Sequence, residues 1–173
     1  MLLLPAVFLI HEIEEGLFLV SWLRRNEAEI ERRFPRLSKR LLPYFQGFTT
    51  RGFAFAALEE LILISLFTLI AVRFGLYAFW AGLLVGIFAH FLIHLAQFFF
   101  LRRYIPFIIT SGIGLIYCFF ALRELSQHGD LVWHHVLLWA LASIVFIILN
   151  LKFVHSLASH LFRRAEDHAR RLM

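Results

Sequence analysis

Apolar positions in this chain come in long runs, not in alternation: MLLLPAVFLI, then GLFLVSW after a five-residue polar break, and four further runs between short polar stretches. Runs of this length predict helices, because strands are shorter and an open sheet edge would leave backbone groups unpaired in hydrocarbon. A bilayer core of about 30 Å takes about 20 helical residues. Five segments meet that length, approximately residues 2–23, 50–73, 77–101, 105–124 and 131–162, the last long enough to continue past the membrane into water. The pattern predicts an all-α, polytopic transmembrane bundle, with one transmembrane domain over 1–173. No basic stretch precedes the first run, and polar residues at 11–15 interrupt it, so it reads as a retained span and not as a cleaved secretory signal.

Composition fixes the solvent: 61% of residues are hydrophobic and only 17% charged, beyond the range of a soluble domain. The lone Cys118 lies inside the fourth run, where it reads as a small buried hydrophobe. Charge then sets orientation. Between the first two spans, seven basic residues (Arg24, Arg25, Arg32, Arg33, Arg36, Lys39, Arg40) face three acidic ones (Glu27, Glu29, Glu31), a balance of +4. Arg102 and Arg103 follow the third span and Arg163, Arg164, Arg170 and Arg171 the fifth, whereas the other connections carry Arg73 and Arg123. Basic loops stay cytoplasmic, so the N-terminus is expected outside and the C-terminus inside. This bias, with contact to anionic lipid headgroups, accounts for the net charge of +5 without a nucleic-acid partner. Pro35 and Pro43 punctuate the first loop, and a short interfacial helix beside Pro35 is expected to turn Ile30, Phe34, Leu37, Leu41 and Leu42 to lipid.

Against this background the stretch HEIEE at 11–15 stands out. At about 1.5 Å per residue, His11, Glu14 and Glu15 of the first span lie about 12–18 Å from its cytoplasmic end. Glu59 and Glu60 of the second, His90 and His94 of the third, and Asn150 and His155 of the fifth fall at about the same depth, roughly 10–18 Å. Rotation sharpens the grouping. His11, Glu14 and Glu15 share a face through i+3 and i+4, Glu12 points about 100° away, and His90 and His94 form an i,i+4 pair. That pair continues a row begun by Gly82 and Gly86, whose missing side chains let another helix approach, and Gln97 falls near its end.

Ionisable groups in hydrocarbon need partners. Three roles compete for these: polar clamps between helices, a proton or cation path, or ligands and general base around a metal. The metal role is favoured, since His and carboxylate at i+3/i+4 on facing helices is how bundle metal sites are built. The ligand candidates are His11, Glu15, Glu59, Glu60, His90, His94 and His155, with Glu14 and Glu15 as candidate catalytic carboxylates. His134, His135, His128, His160 and His168 lie too near the span ends to join them.

His11-x-x-Glu14-Glu15 inside a first membrane span, followed by a histidine-bearing third span, resembles the HXXEE-domain family of small bacterial membrane proteins. Arg103-Tyr104-Ile105-Pro106 followed by Thr110 resembles a further family feature, with Phe107 where the pattern implies glycine. The resemblance implies an inner-membrane location and names no substrate. Two other motifs do not fit. Glu15 stands where HExxH needs histidine, and Leu19 and Ile64 stand where glutamate-type intramembrane proteases place arginine after their paired glutamates. Mixed His and carboxylate ligands without thiolate suit zinc, iron or manganese, and so many carboxylates point to a dinuclear pair. Iron would favour oxidation of a lipid chain, zinc hydrolysis of an ester, amide or peptide bond, in either case on a lipophilic substrate reaching the site from the bilayer.

Overall fold

In the computed structural model of the chain, which describes residues 1–36, 38, 39, 42, 49–128 and 131–171, the described residues form helices and no strand. The long helices are α1 (Leu4–Arg33), α2 (Thr50–Phe74), α3 (Tyr77–Leu101), α4 (Ile108–His128) and α5 (Trp133–Arg171). Their ends follow from local chemistry. Pro5 sits in the first turn of α1, where its missing N–H costs nothing. Thr49 caps α2 by accepting from the Gly52 N–H at 3.0 Å, and Gly75 closes it in the left-handed conformation at φ 65°. Arg102 ends α3 at φ 51°, a conformation rare for a residue with a side chain. The turn through Pro106 delays α4 to Ile108, three residues after the start expected from hydropathy. α1 and α5 run to Arg33 and Arg171, past the ends expected for their apolar parts, because the charged segments that follow are good helix formers.

α2, α3, Ile108–Gln127 of α4 and Trp133–Ala158 of α5 are long and apolar enough to cross a membrane, the mark of an integral membrane protein. α1 differs by carrying Glu12, Glu14 and Glu15 in its first half. It nevertheless runs the length of the bundle. Leu4 belongs to one buried cluster with Ala71 and Trp80 from the α2–α3 end, and Leu19 packs with Phe53 at the opposite end of α2. Large apolar side chains such as Leu69, Ile113, Phe120, Leu137, Leu141 and Phe153 point outward, as lipid allows and water does not.

Two glycines set the closest helix contact. A Cβ on Gly82 would lie 2.4 Å from Trp139 Cβ and 2.6 Å from its carbonyl carbon, and one on Gly86 would lie 3.2 Å from Ser143 Cβ. α5 therefore seats against the glycine row of α3, one turn above the histidines. Near the first loop, Phe34 stacks on Phe100 at 4.6 Å. Leu42 is buried against protein, not turned to lipid as expected. Leu37 and Leu41 lie outside the described residues.

Candidate metal centre

α1 and α3 each bring an i,i+4 pair to their shared boundary, so four side chains meet where the helices face each other. One ligand atom each from His11, Glu15, His90 and His94 lies within 4.8 Å of all the others. His11 Nε2 is 3.3 Å from Glu15 Oε2, and His94 Nε2 is 3.4 Å from the same oxygen. His90 Nε2 is 3.4 Å from His11 Nε2 and 3.1 Å from His94 Nε2. The place is dry: His11 is fully buried, His94 is 6% exposed and Glu15 8%.

The outward nitrogens show which way the protons point. Thr110 Oγ1 donates to Glu14 Oε2 at 2.6 Å, using its one proton, and therefore accepts from His11 Nδ1 at 3.0 Å. His94 Nδ1 lies 3.1 Å from the Gln97 carbonyl oxygen, which only accepts, so it too is the protonated nitrogen. In the neutral rings both Nε2 atoms then carry lone pairs, and both face Glu15. Inward lone pairs with outward N–H groups held by an oxygen are the arrangement of metal-bound imidazoles. Four of the six donor separations run from 3.1 to 3.4 Å, near the spacing of about 3.3–3.4 Å that bonds of about 2.0–2.1 Å set around a tetrahedral ion, and all six lie within 4.8 Å.

Aromatic rings hold the imidazoles. Phe91 meets the His11 ring edge-on at 4.9 Å and Phe107 meets His94 at 4.6 Å. Phe91 is itself seated on Gly114 of α4, where a Cβ would lie 2.4 Å from the ring.

Of the residues singled out in the sequence, His11, Glu15, His90 and His94 are brought together. Glu14 is not among them. Its Oε2 also accepts the Thr110 backbone N–H at 3.3 Å, so it caps the first turn of α4 and acts on His11 through Thr110. Glu59 accepts from Asn150 Nδ2 at 3.0 Å, and His155 packs toward Phe53 at 6.4 Å between ring centres. Glu60 lines a separate small cavity with His90 and Asn150. Thr110 was visible only as a residue of the Arg103–Thr110 stretch. Its link between two letters of HEIEE depends on where α4 begins, and the one signal for that is Pro106 four positions earlier.

Fold and site together define a class, a helical membrane bundle with a buried His/Glu group able to hold a metal ion. The chain belongs to the HXXEE family, whose model, a protein of unknown function with HXXEE motif, matches residues 2–121. That segment contains all four converging side chains, Glu14 and Thr110, and leaves α5 outside. No curated protein and no solved structure matches the chain.

Proposed function

We propose that this chain is a metal-dependent enzyme of the bacterial cytoplasmic membrane, with one divalent ion held by His11, Glu15, His90 and His94, acting on a lipophilic substrate. The observation that carries it is the meeting of one ligand atom each from His11, Glu15, His90 and His94 within 4.8 Å. With both outer nitrogens protonated and the rings neutral, His11 Nε2, His94 Nε2 and Glu15 Oε2 are all acceptors, which a single proton on His90 cannot serve and one cation can. A neutral clamp between helices would need Glu15 to hold a proton as well.

One ion, not the dinuclear pair expected from the number of carboxylates, follows from where those carboxylates go: Glu59 is tied to Asn150, and Glu14 to the first turn of α4. When bound, iron would supply oxidation chemistry and zinc Lewis-acid chemistry for hydrolysis. Four protein donors close a tetrahedral ion and leave room only for one that accepts more ligands, which favours iron or manganese for catalysis.

Substrate access supports the lipophilic reading. An apolar cavity of about 280 Å³ between α2, α3 and α5, walled by Phe79, Trp139 and others, shares Phe67, Leu83 and Phe146 with a smaller one that ends at Glu60, His90 and Asn150. The smaller space is about 40 Å³, near the roughly 30 Å³ share of one water. Chain and headgroup are thus provided for separately: hydrocarbon walls toward the lipid, a polar end beside His90, with Glu60 there to take up a proton.

Elemental analysis of the detergent-purified full chain tests the centre. About one ion per chain is expected, falling to about a tenth or less in His11→Ala and in His94→Ala while both elute as folded, helical protein. A wild-type chain without metal, purified under conditions that retain iron, would overturn the proposal.

A further inference from the structure

We infer that the cleft between α1 and α2 binds a lipophilic amine, a single-chain amphiphile whose ammonium group pairs with Glu12. This site lies apart from the metal centre and does not rest on it. The cleft measures about 280 Å³ and its walls are apolar along Gly16, Leu17, Phe53, Ala57 and Leu61, with Glu12 as the one ionisable group among the described residues that line it. Ile13, Leu17 and Leu58 are exposed, so the cleft opens sideways to lipid, not to water. Gly16 lets the Phe53 wall seat directly against α1: a Cβ there would stand 2.9 Å from the Phe53 ring.

Glu12 itself calls for an occupant. Its residue is 7% exposed, and its carboxyl makes no hydrogen bond or ion pair with any described residue. Among the described residues, no Lys or Arg lines the cleft. A buried carboxyl with no donor among the described residues is complementary to a cation that brings N–H donors. A metal ion is the wrong cation, because one carboxyl among hydrocarbon side chains offers no ligand set. An alkylammonium satisfies both halves, its head on Glu12 and its chain against Leu17, Phe53 and Leu61, and it arrives from the bilayer.

The test uses the full chain in nanodiscs of zwitterionic lipid with a dodecylamine that carries a photoactivatable diazirine in its tail, mapped by peptide mass spectrometry. Labelling is expected in residues 9–17 and 50–61, the segments that line the cleft. Unlabelled dodecylamine should compete and dodecanol should not. Glu12→Gln removes the charge with little change of shape and should cut labelling by at least about tenfold, with metal content unchanged. Ala57→Phe, which fills the cleft and leaves Glu12 in place, should do the same. Equal competition by dodecanol, or full labelling in either variant, would show a lipid groove without an amine site and overturn the inference. Metal missing from the wild type, with labelling intact, would strike the metal centre alone.

Discussion

At the scale of single residues, the structure gives each named letter of HEIEE a separate task. His11 and Glu15, one turn apart, converge on the centre, while Glu14 turns to Thr110 and through it keeps a proton on the outer nitrogen of His11. Thr110→Val removes only the hydroxyl and keeps the shape. It should weaken metal retention by about 10- to 100-fold, the cost of losing an orienting partner, and Thr110→Ser should restore it; equal retention in all three proteins would remove Thr110 from the site. Glu14→Gln and Glu15→Gln should each lower metal content by about tenfold or more, and Glu12→Gln should not, since Glu12 points about 100° away from His11 on α1. Small and equal effects at 12, 14 and 15 would leave the stretch as a polar clamp. His11, Glu15, His90 and His94 were among the seven ligand candidates of the sequence, where i,i+4 spacing gives rotation as well as height, but the same reasoning put Glu14 on that face and the structure turns it to Thr110. Glu59, Glu60 and His155 were chosen by depth alone, and depth says nothing of direction, so Asn150 and Phe53 decide where two of them point.

Among the elements, the glycine row of α3 was readable in advance because its meaning is local: small residues four apart mark a face that another helix touches. Which helix touches it was not readable, and the structure answers α5. Gly82→Ala puts a methyl 2.4 Å from Trp139 Cβ and 2.6 Å from its backbone, atoms that cannot rotate away. The substitution should destabilise the bundle by about 1–3 kcal/mol. Gly112 of α4 meets nothing within 4 Å, so Gly112→Ala should leave stability unchanged or raise it by up to about 1 kcal/mol through helix propensity. Thermal unfolding in detergent compares the two, and equal midpoints would mean that the α3–α5 contact does not limit stability. The helix ends were less legible than the helices. Hydropathy reports where lipid stops, while α1 continues through Arg33 and α5 through Arg171 on propensity that hydropathy does not see.

For the molecule as a whole, the basic ends of different helices come together in space, which is what the positive-inside argument needs. Arg33 Nη1 donates to the Leu101 carbonyl at 2.7 Å, and Arg103 donates to Asn26 Oδ1 at 3.0 Å and sits 3.6 Å from Glu29. The end of α1 and the α3–α4 turn thus share one face of the bundle, with Arg24, Arg25, Arg32 and Arg102 exposed on it. The opposite end, where Leu4, Ala71 and Trp80 meet and Leu122 and Leu125 pack, carries Arg73 and Arg123 as its basic residues among those described. Placed in a membrane, such an asymmetry is expected to put the rich end in the cytoplasm. Reporter fusions after residue 45 and at the C-terminus should therefore report cytoplasm, and one near residue 128 the outside. If the two termini lie on the same side, α1 does not cross the membrane. His11 and Glu15 would then sit at an interface open to water instead of in the dry inner half of a bilayer, and the three glutamates that set α1 apart from the other helices would be solvated, in no need of a cation.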